Sequence, residues 1–198
     1  MTGWKPQDHY FRRAKKEGYS ARSVYKLEEI DRRVRLFRPG QRVLDLGCHP
    51  GSWLQYCARA VGRRGLVVGV DTRTISIELP PHVHFIQADV FELLPTDLYQ
   101  ISEDFDVVLS DLAPATTGMR SVDSSRSLAL FQRALTLADD LLVPGAHFLG
   151  KIFQGSGFEE MVKDLKSRFD KVKVIRPRAT RSQSKEIYLV AIGKKDLA

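Results

Sequence analysis

The run Asp45-Leu46-Gly47-Cys48-His49-Pro50-Gly51-Ser52-Trp53 decides the fold. It leaves an apolar stretch, Arg42–Leu46, that reads as a buried strand, and it enters Ser52–Val61, which reads as a helix. Gly47 and Gly51 let the backbone bend sharply and approach a ligand without a Cβ in the way. Strand, glycine turn and helix in that order mark the ligand-binding turn of an open α/β sheet.

Working outward, further strands are expected over residues 65–70, 83–86 and 106–110, with a fifth ending at Lys151. Residues 171–175 and 186–192 close the sheet. Helices are expected over about 125–142 and 158–169. The segment 8–38 reads as basic helix: Val24, Leu27, Ile30 and Val34 recur at helical spacing, and Pro39-Gly40 stops it. Alternating strands and helices argue for an α/β architecture with a mostly parallel sheet of seven strands and helices on both faces. No helix separates the last two strands, so an antiparallel member is expected at that edge, with 177–185 as a polar, basic loop.

At 198 residues the chain reads as a single domain, 1–198, with 1–38 as a basic amino-terminal segment. Charge is uneven: residues 1–38 and 171–198 each carry a net +6, while the middle carries −5. Basic ends around a mildly acidic centre point to a polyanionic partner. No apolar stretch approaches the roughly 20 residues that span a bilayer, and the amino terminus lacks a secretory signal, so no membrane partner is expected. Two cysteines, Cys48 and Cys57, are too few for a disulfide framework, and a reducing cytoplasm is the expected location. With His49 they make a weak metal set; they read as a buried pair, and no metal is expected.

A second early glycine is missing from the turn, and Pro50 stiffens it, so a pyrophosphate is poorly suited. Asp71 ends the second strand, 24 residues after Gly47, where a carboxylate accepts both hydroxyls of a ribose. Asp89, after the third strand, is placed to meet an adenine edge. The turn and its strand-end acid point to S-adenosylmethionine, with a nicotinamide cofactor as the alternative. Lys151 and Asp111 each end an apolar strand, so they meet on the rim where the ligand crevice forms. Read alone, that pair is either a salt bridge between strand ends or part of a site for chemistry.

From about Tyr19 to Lys195 the chain resembles the RrmJ/FtsJ family of 2′-O-ribose methyltransferases. The resemblance rests on separate segments in order: Ser20-Ala21-Arg22-Ser23-Val24-Tyr25-Lys26-Leu27, the turn Asp45 to Trp53, and Ser110-Asp111-Leu112-Ala113-Pro114 with Gly118 and Val122-Asp123. Gly150-Lys151-Ile152-Phe153-Gln154-Gly155-Ser156-Gly157-Phe158 and Ser182-Gln183-Ser184-Lys185-Glu186-Ile187-Tyr188 complete it. It implies a Rossmann-like methyltransferase fold using S-adenosylmethionine. Its catalytic set falls on Lys26, Asp111, Lys151 and Glu186. Lys151 is expected to take the proton of a ribose 2′-hydroxyl, with Asp111 and Glu186 orienting it and Lys26 steadying developing charge. Cofactor contacts are implied at Gly51, Trp53, Asp71, Asp89 and Asp111, beside Gly47 of the turn. The sequence departs from the family at Cys48-His49, at Ser52 and over 72–81.

Base-modifying relatives carry an aromatic after Asp/Asn-Pro-Pro; here no aromatic stands between Asp111 and Phe131, which favours ribose as the target. Arg12, Arg13, Lys15 and Arg22 at one end, and Arg176, Arg178 and Arg181 at the other, are expected to flank the crevice and grip RNA phosphates. Tyr19 and Tyr25 are candidates to stack bases, Tyr25 equally for the core. The resemblance is closest to members that modify a uridine in large-subunit (23S-type) ribosomal RNA. Transfer RNA is the rival substrate, and a non-catalytic ribosome-assembly factor is the rival class. DNA is not expected as a partner, and the default assembly is a monomer.

Overall fold

Strands β1 (Arg42–Leu46), β2 (Leu66–Asp71), β3 (Val83–Gln87), β4 (Phe105–Ser110), β5 (Leu142–Phe153), β6 (Phe169–Ile175) and β7 (Glu186–Lys194) form one seven-stranded sheet. The structure, a computed structural model, describes residues 6–196, so residues 1–5 of the expected basic segment lie outside it. Strand order is β3-β2-β1-β4-β5-β7-β6. Neighbours from β3 through β5 are parallel. The antiparallel element is β7, which inserts between β5 and β6 and pairs antiparallel with both.

Helices α1 (Pro6–Lys16), α2 (Val24–Val34), α3 (Ser52–Val61), α4 (Arg120–Leu141) and α5 (Phe158–Arg168) complete the fold. Each central strand is buried on both faces, and successive side chains feed opposite layers. Leu44, Leu46, Val68, Val108 and Phe148 pack with residues of α4 and α5, including Phe131, Leu135 and Leu165. Val43, Val67, Val107, Leu109 and Leu149 pack with α2 and α3 through Leu27, Ile30, Leu54 and Cys57. Helices therefore cover both faces, as the strand pattern requires.

The basic segment at 8–38 is two helices and not one. Gly18, at φ +74°, ends α1, and Tyr19 N–H donates to the Ala14 carbonyl at 2.9 Å to close its last turn. The apolar spacing belongs to α2, whose Val24, Leu27 and Ile30 are buried. The fourth helix starts at Arg120, earlier than expected, because Asp123 receives the Thr117 and Gly118 N–H groups and the Thr117 hydroxyl. Those bonds hold the Asp123 carboxyl below its usual range. The fifth strand does not end at Lys151 but runs two residues further, to Phe153, because β7 pairs with it to its end.

Candidate active site

The carboxyl ends of β1, β2 and β4 open into a cavity of about 780 Å³, a size suited to a nucleoside-based ligand. Gly47, His49, Asp71, Arg73, Asp89, Asp111 and Lys151 line it together with Val70, Phe91, Leu112 and Leu130. The turn after β1 and the loop after β4 almost touch. A Cβ at Gly47, which has φ +82°, would lie 3.0 Å from the Leu112 nitrogen. Only glycine brings this backbone so close to its neighbour. Asp111 N–H donates to the Leu46 carbonyl at 3.1 Å, fixing Asp111 beside that turn.

Asp71 is oriented by backbone. Its Oδ2 accepts from His49 N–H and its Oδ1 from Arg73 N–H, both at 2.9 Å. Asp89 Oδ1 accepts from Phe91 N–H at 2.9 Å. Two fixed acceptors, apolar walls and a glycine cradle fit an adenosine with an uncharged link to the rest of the ligand. Gly51 and Trp53, expected at the same ligand, do not line the cavity. At Gly51, φ is +101° and a built Cβ would run into Ile77 Cδ1. Trp53 is buried, donates its ring N–H to the Ser23 carbonyl at 3.0 Å and packs near Tyr188. Both support the turn from behind. His49 Nδ1 contacts the Thr74 carbonyl at 3.1 Å, so the unusual 72–81 segment is fastened over the turn by His49 and Ile77.

The four expected catalytic residues form two ion pairs, of which Lys151 and Asp111 line the cavity while Lys26 and Glu186 line a separate hollow. Lys151 Nζ lies 3.1 Å from Asp111 Oδ1 and donates to the Asp111 carbonyl at 2.7 Å. Lys151 is only 6 % exposed. Lys26, on α2, is ion-paired with Glu186, the first residue of β7. Glu186 therefore does not orient Lys151, contrary to expectation. In the register Glu186 stands opposite Phe153 and Lys151 opposite Tyr188, so Glu186 is only a diagonal neighbour of Lys151, and its ion pair goes to Lys26 instead.

Tyr188 is the residue that sequence reasoning missed. It is fully buried, its hydroxyl donates to Asp111 Oδ1 at 2.8 Å, and Lys26 Nζ lies 6.0 Å from its ring centre. It thus stands between the two ion pairs. Burial first, and the Asp111 charge second, push its phenol well above the usual range, so it remains a donor. The available signal was a tyrosine inside an apolar strand, whose hydroxyl must find a partner when buried. Asp45 was also unassigned: it is fully buried on β1, and neither of its carboxylate oxygens has a hydrogen-bond partner. Burial holds its carboxyl well above the usual range.

A second hollow of about 410 Å³ adjoins Lys26 and Glu186 and is lined by Arg22, Ser23, Arg181, Gln183 and Ser184. Arg22 donates to the Ala179 carbonyl at 2.7 Å, tying α2's approach to the loop between β6 and β7. Burial, then the charge of Arg181, lower its pKa. A third hollow, lined by Tyr10, Arg22, Arg176, Arg178 and Arg181, continues along that loop. Arg178 N–H donates to Glu29 at 2.7 Å, and its side chain is exposed. Arg12 and Lys15 are exposed on α1. Arg13 is committed to Glu17 and Glu28 and lies over the Tyr25 ring. Tyr25 is buried and donates to Glu17, so it is core and does not present a ring for stacking. Cys48 and Cys57 are buried free thiols, raised above their usual range by burial. Among the described residues, no helix is long and apolar enough to cross a membrane.

The FtsJ-like methyltransferase family model matches residues 19–194. A Desulfatibacillum aliphaticivorans protein named ribosomal RNA large subunit methyltransferase E is 51 % identical over 96 % of this chain and 91 % of its own length. A Bdellovibrio bacteriovorus protein of the same name is 45 % identical over 97 % of this chain and 99 % of its own. Among solved structures, a Plasmodium falciparum protein described as a ribosomal RNA methyltransferase superposes with a TM-score of 0.78 at 27 % identity, covering 89 % of this chain and 98 % of that one.

Proposed function

This chain belongs to the FtsJ-like methyltransferase family, and on that premise we propose that it transfers a methyl group from S-adenosylmethionine to a ribose 2′-oxygen in large-subunit ribosomal RNA. The observation that carries the reading is Lys151, held by both the carbonyl and the carboxylate of Asp111 at the mouth of the cavity. Relatives named for large-subunit ribosomal RNA support the substrate, and the absence of an aromatic between Asp111 and Phe131 supports ribose over base. The proposed actor is a single cytoplasmic chain.

When bound, S-adenosylmethionine supplies an electrophilic methyl group on a sulfonium. Gly47, Asp71 and Asp89 would hold its adenosine end, and Leu112, Ala113 and Pro114 of the loop after β4 line the same cavity. Lys151 would accept the 2′-hydroxyl proton as that oxygen takes up the methyl group, with Asp111 beside its Nζ. Asp111 keeps Nζ from swinging away, and Tyr188 keeps the Asp111 carboxylate from rotating. Lys26, itself fixed by Glu186, faces the negative charge that develops on the oxygen. Orientation of this kind supplies several kcal/mol of rate acceleration.

The test is transfer of labelled methyl groups to purified large ribosomal subunits, with transfer RNA in parallel, followed by mapping of the modified nucleotide. Label on a ribose of the large-subunit RNA is expected. Label only on transfer RNA would move the substrate, and RNA binding with no label in either would leave an assembly factor.

A further inference from the structure

The rim of the sheet opposite the cavity, where β1 and β2 begin, carries its own concentration of positive charge. Gly40 N–H donates to the Val61 carbonyl at 2.8 Å, and Leu66 N–H to the Gln41 carbonyl at 3.0 Å. These bonds zip the turn before β1 to the turn before β2. They bring Arg38 from one turn to the same end of the molecule as Arg63 and Arg64 from the other, and all three are exposed. Arg35, also exposed, caps α2 three residues before Arg38.

Neighbouring arginines on this side are neutralised: Arg33 pairs with Glu29, and Arg42 with Asp104 and Asp106. Among the described residues, the guanidinium groups of Arg35, Arg38, Arg63 and Arg64 have no carboxylate within salt-bridge distance. Arg35 adds a second observation. It is the one described non-glycine residue with positive φ, at +54°, in a cap where glycine is the ordinary choice. An L-residue there is disfavoured. The helix dipole offsets little of that, and Arg32 and Arg33 already fill the last turn. The strain thus accompanies a charge presented outward.

We infer that this rim is a second docking surface for the phosphodiester backbone of the RNA substrate, remote from the nucleotide that is methylated. The inference rests on the RNA reading above. Unpaired guanidinium groups are the usual partners of phosphate oxygens, and they set position without reading sequence. Strands of five or six residues separate the rim from the crevice by about 17–20 Å. An RNA that touches both ends must therefore be folded around the domain; a short strand lying in the crevice does not reach the rim.

The test is the triple variant Arg38→Gln/Arg63→Gln/Arg64→Gln beside a control of equal charge change, Lys163→Gln/Lys166→Gln/Lys171→Gln, drawn from exposed lysines of α5 and β6. Both are assayed for thermal unfolding, for methyl transfer and for equilibrium binding to deproteinised large-subunit ribosomal RNA over a salt series. The rim variant is expected to unfold at the wild-type temperature, to raise KM about tenfold with kcat kept, and to bind about tenfold more weakly. Its log–log salt slope should be shallower by about 2 to 3, near 0.7–0.9 per lost phosphate contact. Wild-type binding and salt slope in the rim variant, or an equal loss in the control, would overturn the inference. So would a loss of binding to intact subunits without any loss on the deproteinised RNA, which assigns the rim to a protein partner. If the wild type transfers no methyl group, the binding series still decides the rim, while the proposed activity falls by itself.

Discussion

Lys151 and Tyr188 face each other across the antiparallel pair β5–β7, and both reach Asp111. One residue thus receives a cation from its own side of the sheet and a phenol from the inserted strand. The arrangement fixes the Asp111 carboxylate at two points, and it makes the behaviour of variants at the two positions distinct.

Lys151→Ala removes the proposed proton acceptor and leaves the adenosine end of the cavity intact. Turnover is expected to fall by about 10²–10⁴-fold, the usual range for loss of a general base. Binding of S-adenosylmethionine, measured by calorimetry, should stay within a few fold of wild type. Near-normal turnover would remove Lys151 from the chemistry.

Tyr188→Phe deletes one hydroxyl and keeps the packing. A hydrogen bond to a charged group contributes about 1.5–3 kcal/mol, so kcat is expected to drop by roughly ten- to a hundredfold with KM for RNA unchanged. A purely structural tyrosine would lower the unfolding temperature without moving kcat at 25 °C. Steady-state kinetics beside a melting curve separates the two.

Gly51→Ala puts a Cβ into Ile77 at a position whose φ of +101° already disfavours it. The expected loss is about 1–3 kcal/mol, seen as a lower urea midpoint. Gly51→Ala combined with Ile77→Ala should recover the part due to the clash and keep the part due to the backbone. Full additivity of the two single changes would show that Ile77 does not press on the turn.

Asp45 predicts a pH dependence with a definite sign. Its folded-state carboxyl titrates well above its unfolded value because burial disfavours the charge. Between those two values the unfolded chain releases a proton that the folded chain keeps, so stability falls as pH rises above the unfolded value, until the folded carboxyl also titrates. Asp45→Asn lacks this slope. Its melting temperature relative to wild type should rise steadily from pH 4 to pH 8 in scanning calorimetry, and parallel curves would show that Asp45 is ionised in the folded protein.

The crevice was readable because strand ends are readable: apolar runs that stop at Asp71, Asp111 and Lys151 place those groups on one rim. Which lysine meets which carboxylate was not. Pairing Lys151 with Asp111 and Lys26 with Glu186 depends on the β5–β7 register and on where α2 crosses, neither of which leaves a local mark. The break between α1 and α2 was hidden because the apolar spacing of Val24, Leu27, Ile30 and Val34 describes α2 alone, and the basic residues before it carry no period of their own to show where α1 ends. The resemblance to the methyltransferase family implies a ligand contact at Trp53, which does not line the cavity. Its size and its ring N–H instead find room and a partner behind the turn, at Ser23. The 72–81 segment has no periodicity, so its hold on Gly51 through Ile77 appears only in three dimensions.

Because β7 slots between β5 and β6, the last described strand in chain order is also the one that delivers Tyr188 and Glu186. The elements through β6 hold the glycine turn, Asp71, Asp111 and Lys151, whereas the partner of Lys26 and the second hold on the Asp111 carboxylate come only with β7. Under the proposed roles, the groups that would hold the donor precede β7 in the chain, and the residues that complete the two-pair cluster come with it.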